Sequence, residues 1–147
     1  MLKLYLDICC YNRPFDEQDQ HKIILETEAK LIVQNKIKKG DYSLVWSFML
    51  DFENDESPSK EKREIIKSWK LIASEYCSSS LDILESAKEY MKIGLKHKDA
   101  IHLACAVKHK CDYLITTDRR FNNKNKLVKE IEIVNPTTFI LETEDSK

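Results

Sequence analysis

The sequence has 147 residues, enough for one hydrophobic core and little more, so residues 1–147 are expected to form a single domain. Two glycines and three prolines are too few for an all-β fold. No apolar run nears the roughly 20 residues that span a bilayer, and an acid at Asp7 cuts short any leader peptide, so a cytoplasmic protein with no membrane association is expected. A net charge of −1 lacks the basic surplus common in nucleic-acid binders, although acids gathered in one site would themselves pull the total down. Five cysteines, with Cys9 beside Cys10 and no CxxC, argue for reduced buried thiols over a disulfide framework or a zinc site.

Leu2-Lys3-Leu4-Tyr5-Leu6 is a short apolar run that reads as a buried strand, closed by Asp7. A turn at Asn12-Arg13-Pro14 leads into a long helix over 17–38, with Ile24, Leu31, Ile32 and Asn35 on one stripe and Gly40 as the stop. Residues 42–47 (YSLVWS) read as a second strand, followed by a short helix over 48–54. Ser57-Pro58 offers an N-cap and a first helical residue, and Ile65, Ile66, Trp69, Ile72, Ala73 and Tyr76 follow at helical spacing. Ser80 caps another helix with Leu81, Leu84, Ala87 and Met91 on one face, ended by Gly94. The segment 98–110 is helical, with Ala100, Leu103, Ala104 and Val107 inward. Residues 113–117 (YLITT) and 131–134 are the last strands.

The order is βαβα(α)ααβαβ. Strands alternating with helices imply parallel pairing, hence an α/β fold: a three-layer α/β/α sandwich around a central parallel sheet. Ligands of such sheets bind outside the carboxyl ends of the strands, where this chain places acids. Asp7 ends the first strand, Asp51 and Glu53 follow the second, Asp99 opens a helix and Asp118 follows YLITT. Taken singly, each is explained as a turn residue, a first-turn charge or a solvated helix face. Taken together, packed carboxylates repel one another, and a fold keeps such a cluster when a divalent cation neutralises it. Oxygen ligands favour Mg²⁺ or Mn²⁺, and the chemistry that uses them this way is phosphodiester hydrolysis. Asp51 and Glu53 point about 200° apart on a helix, so only one is expected to face the cluster.

Leu4-Tyr5-Leu6-Asp7, Lys98-Asp99-Ala100-Ile101-His102 and Leu114-Ile115-Thr116-Thr117-Asp118 resemble the first, third and fourth acidic motifs of the PIN-domain family. Val45 to Glu53 resembles the second, and Val134-Asn135-Pro136-Thr137-Thr138-Phe139 the family's C-terminal edge. The resemblance implies a PIN-like fold, a Mg²⁺/Mn²⁺ site on Asp7, Asp51, Asp99 and Asp118, and endoribonuclease action on single-stranded RNA. It also implies a toxin of a toxin–antitoxin pair (VapC-like), an antitoxin protein as partner, and a homodimer. In the family a large apolar residue directly follows the second acid, as Phe52 follows Asp51 here, so Asp51 is the expected ligand and Glu53 the alternate acid. One departure is that Ile8, Cys9 and Cys10 stand where many members carry a polar residue behind the first acid. The usual hydrogen-bonding support of Asp7 is then missing, with Asn12 a substitute only if the chain turns back.

Thr116 and Thr117 read either as β-formers or as hydroxyls orienting Asp118 or a phosphate. Arg13 is the preferred phosphate contact, and Arg119, Arg120, Lys124, Lys126 and Lys129 form a basic run near the last acid. His102 shares a helical flank with Asp99, either behind the ligands or packed at a helix edge. Trp69, Tyr76 and Tyr90 fall at core spacing, and the Glu26/Glu28 pair reads as exposed helix charge. The competing reading is a non-catalytic or weakly active PIN-like module that binds RNA or protein. An Asp-nucleophile phosphatase is disfavoured because position 9, two after Asp7, is Cys, and no glycine-rich phosphate loop is present.

Overall fold

The computed structural model describes residues 1–144. Five strands form one sheet: β1 (Leu2–Leu6), β2 (Tyr42–Ser47), β3 (Glu75–Cys77), β4 (Tyr113–Ile115) and β5 (Glu132–Val134), in the order β3-β2-β1-β4-β5. Every pairing is parallel, with Leu4 opposite Leu44 and Leu6 opposite Ile115. Eight α-helices accompany them among the described residues: α1 (Ile8–Asn12), α2 (His21–Lys38), α3 (Phe48–Asp55), α4 (Lys60–Ile72), α5 (Leu81–Lys92), α6 (His97–Lys108), α7 (Arg119–Asn122) and α8 (Pro136–Glu144). The architecture is the three-layer α/β/α sandwich. The chain builds outward from β1 to β2 and β3, then returns to place β4 on the other side of β1. This reversal opens a crevice at the carboxyl ends of β1 and β4, the usual ligand position in open α/β sheets.

Local chemistry explains most boundaries. Ser47, Ser59 and Ser80 each accept a bond from the backbone N–H three residues on and so start α3, α4 and α5. Gly40 follows α2 at φ 84°, a left-handed position that a side chain would strain. The core is built on the central strands, where Leu4, Tyr5, Leu44, Val45 and Trp46 are buried, and Phe121 and Phe139 close it from the C-terminal side. Each such side chain removed from water contributes roughly 1.5–3 kcal/mol before entropy is counted. Among the described residues, no helix is long and apolar enough to cross a membrane.

Six expectations are corrected. The helix expected over 17–38 begins at His21, after α1 and a 3₁₀ turn at Arg13–Phe15. Its buried stripe is Glu26, Ala29, Lys30, Val33, Gln34 and Ile37, while Leu31 and Ile32 are exposed. Glu26 is buried because Arg13 pairs with it, so the Glu26/Glu28 pair is not simply surface charge. The next helix is capped by Ser59, not Ser57. Tyr76 does not continue α4: Ala73 leaves the helix in extended geometry and Glu75–Cys77 pairs with Val45–Ser47 as a fifth strand. On α5 the inward residues are Ile83 and Ala87, with Leu81, Leu84 and Met91 facing out.

Candidate metal centre

Asp7 leaves β1 at the crevice and is almost wholly buried. One carboxylate oxygen accepts from the Ile8 N–H at 2.8 Å, starting α1, and the other accepts from the Thr116 hydroxyl at 2.8 Å. The Cys9 thiol lies 3.4 Å from the same second oxygen. Support for the first acid thus comes from the neighbouring strand end and a thiol; Asn12 lies instead where α1 passes into the 3₁₀ turn. Thr116 is the hinge of this arrangement, because its oxygen also accepts from the Asp118 N–H at 3.1 Å. Thr117 is buried beside it, its N–H directed at the Cys9 sulfur. Asp118 is half-buried and caps α7 through the N–H groups of Arg120 and Phe121.

His102 stands at the centre of the site. It is fully buried on α6, with Nε2 against a Glu53 carboxylate oxygen and 3.5 Å from Asp7. Its Nδ1 meets the Tyr5 hydroxyl at 2.5 Å, and Tyr5 in turn meets the Ser47 hydroxyl at 2.6 Å. Burial alone would lower the imidazole pKa, but the charges of Asp7, Glu53 and Asp99 raise it above its ordinary value. Asp99, in the first turn of α6, is pushed up to about 6 by burial and then by the negative charges of Asp7 and Asp118, with Glu53 adding to them. The acids of β1, α3, α6 and the β4 end therefore act on one point.

The second acidic segment is the main correction. Asp51, expected at the cluster, turns away from it. Its carboxylate accepts from the Trp46 indole at 2.8 Å, the Tyr76 hydroxyl at 2.7 Å and the Lys70 ammonium at 3.1 Å. Burial would raise its pKa, but these three donors bring it below the usual range. Glu53, about 200° around the same helix, faces the cluster instead. Arg13 is likewise committed: its guanidinium is held by Glu26 at 3.0 Å and Asp16 at 2.8 Å, which leaves it a poor phosphate contact.

Tyr5 and Ser47 were not singled out from the sequence, and Cys9 only as a departure behind Asp7. The period-2 rule puts Tyr5 on the same face of β1 as Asp7, a signal available in the sequence. His102 is more central than either reading of it anticipated. Atoms of Asp7, Glu53 and His102 lie within 4.8 Å of one another, a spacing that suits donors around one small cation. Two carboxylates and an imidazole, with Asp118 close enough to Asp99 to raise its pKa, fit a divalent cation.

No curated protein matches the chain. Among solved structures, it is similar to one described as VapBC2 from Rickettsia felis bound to a DNA fragment from their promoter, with a TM-score of 0.55 and 14% identity, covering 91% of this chain and 98% of that one. At that identity the likeness is one of fold. The PIN domain model matches residues 43–127, which carry Glu53, Asp99, His102 and Asp118; Asp7 joins them through the pairing of β1 with β4. With that match spanning more than half of the sequence, the chain belongs to the PIN domain family.

Proposed function

We propose that the chain, as one PIN-like unit over residues 1–147, is an endoribonuclease that hydrolyses phosphodiester bonds of single-stranded RNA with Mg²⁺ or Mn²⁺. The observation that carries this reading is the convergence of four acids at the sheet's switch point, with Asp99 raised to about 6 by burial and then by the other acids. Asp7, Glu53, Asp99 and Asp118 would hold the ion, with His102 beside them; Asp51 has no part in it. A bound divalent ion supplies a more acidic water and stabilises charge on the departing oxygen. Thr116 fixes the Asp7 carboxylate, and the Ser47–Tyr5 pair fixes the His102 ring so that Nε2 addresses Glu53. Arg119 and Arg120, exposed beside Asp118, supply positive charge that draws in a phosphate backbone.

The biological setting we propose is the cytoplasm, where the protein acts as the toxin of a toxin–antitoxin pair, dimeric on its own and neutralised by an antitoxin protein. The fold likeness to a VapBC2 chain supports this. The test is incubation of purified protein with several single-stranded RNAs in Mn²⁺ or Mg²⁺, with and without EDTA. Cleavage that EDTA stops and added Mn²⁺ restores is expected; cleavage indifferent to EDTA contradicts the proposal. A second reading, a non-catalytic PIN-like module binding RNA or protein, is favoured by the mutual contacts that already satisfy Glu53 and His102. RNA bound but left intact under all metal conditions selects it.

A further inference from the structure

On the face of the molecule formed by α2 and α4, a recess of about 290 Å³ is built around three polar side chains that the acidic centre does not use. Tyr11, Lys30 and Gln34 are 0%, 4% and 7% exposed. Neither the Tyr11 hydroxyl nor the Gln34 amide nitrogen has a hydrogen-bond partner. Lys30 Nζ lies 5.6 Å from the Tyr11 ring centre and 5.8 Å from that of Trp69, and Lys38 Nζ lies 5.1 Å from Trp69. Two ammonium groups therefore share one indole, and no acid pairs with Lys30 among the described residues. Burial first, and then the nearby Lys38 charge, bring the Lys30 ammonium down to about 8.

This differs from how the same helix treats its other buried charge. One turn earlier, Glu26 is matched by Arg13. The fold satisfies that group and leaves Lys30, Gln34 and Tyr11 without such a match, all three bordering one recess. Buried polar groups are nearly always bonded in native proteins, so two without partners beside an ammonium with no acid mark a missing complement. An ammonium, an amide N–H and a phenol O–H are all donors, so the complement is an acceptor carrying negative charge. Of the two ammonium groups only Lys30 is buried, with Lys38 exposed at the rim; a planar monoanion fits the buried ammonium and two neutral donors, and a dianion would add a desolvation cost that these groups do not offset. The lining is mixed, with the apolar Leu31, Ile65 and Phe15 exposed at the mouth. The volume falls at the small end of ligand pockets, roughly 300–1,000 Å³.

We infer that this recess binds a small carboxylate bearing a short apolar chain, with Lys30, Gln34 and Tyr11 on the carboxylate and the Phe15, Leu31 and Ile65 mouth on the chain. The inference does not rest on the nuclease reading, because none of these residues touches the acidic centre.

The test is calorimetric titration of the full chain at pH 7 with hexanoate, alongside 1-hexanol, hexylammonium and inorganic phosphate. Saturable hexanoate binding is expected, with hexanol weaker by about tenfold or more and hexylammonium not binding. Lys30→Met, which keeps the apolar stem, is expected to weaken hexanoate binding by roughly tenfold or more, and Gln34→Leu and Tyr11→Phe by about two- to tenfold. Mn²⁺ affinity is expected to be unchanged in all three. If Lys30→Met fails to fold, the Gln34→Leu and Tyr11→Phe pair carries the same comparison. No saturable hexanoate binding, equal binding of hexanol, preference for phosphate, or hexanoate binding indifferent to these substitutions overturns the inference.

Discussion

Asp51 and Glu53 are separated by one residue on α3 and occupy opposite surroundings. Asp51 collects an indole, a phenol and an ammonium, one from each of β2, β3 and α4, and its pKa falls despite burial. Glu53 enters a neighbourhood of acids in which Asp99 is pushed up to about 6. The two carboxylates have similar chemistry, yet donors make one a fastener between elements. The other belongs to a group of like charges that the folded protein holds together against their repulsion. The contrast separates structural acids from the acids expected to bind a cation.

The largest expected effect is on RNA cleavage. Asp7→Asn removes a buried carboxylate from the centre and is expected to cut the metal-dependent rate by roughly a hundredfold or more, measured on a fluorescent single-stranded RNA. A rate near wild type would place the chemistry elsewhere. On stability, Asp51→Asn is expected to cost about 2 kcal/mol in urea unfolding, because its bonds to Lys70, Tyr76 and Trp46 are weakened together. A neutral result would mean that the fastener is not one.

Thr116→Val sharpens the contrast from the other side. It removes the donor to Asp7 while keeping the shape of β4's end, and is expected to weaken Mn²⁺ binding by about tenfold with a loss of about 1 kcal/mol in stability. The smallest expected effect concerns pH. The raised pKa of Asp99 means that its stabilising contribution is fully present below its ordinary value of 3.8 and is lost as pH rises through about 6. Metal-free Asp99→Asn is therefore expected to be more stable than wild type by about 1 kcal/mol at pH 7.5, after allowing for solvent screening, and indistinguishable near pH 4. An equal difference at both pH values would show that Asp99 does not feel the other acids.

The strands β1, β2, β4 and β5 and the cap at Ser80 were legible because apolar runs and N-cap chemistry are local. The three-residue β3 was not, since Tyr76 also falls at helical spacing after Trp69 and only pairing with β2 distinguishes the two. Of the site, Asp7 and Asp118 could be placed at one edge of the sheet from strand ends, and Asp99 only by its place in the first turn of a helix. The choice between Asp51 and Glu53 turned on which way α3 rolls against β3 and α4, a tertiary fact with no local trace. Periodicity likewise could not show that Lys30 and Gln34, not Leu31 and Ile32, face inward on α2, because aromatic rings beneath long polar stems reverse the usual rule.

The most direct measurement is calorimetric Mn²⁺ titration of the metal-free wild type, Glu53→Gln and Asp51→Asn, run side by side with each variant's fold checked by circular dichroism. The account predicts that Glu53→Gln loses about tenfold or more in affinity while Asp51→Asn stays within about threefold of wild type. Loss of affinity in Asp51→Asn with Glu53→Gln unaffected would contradict it.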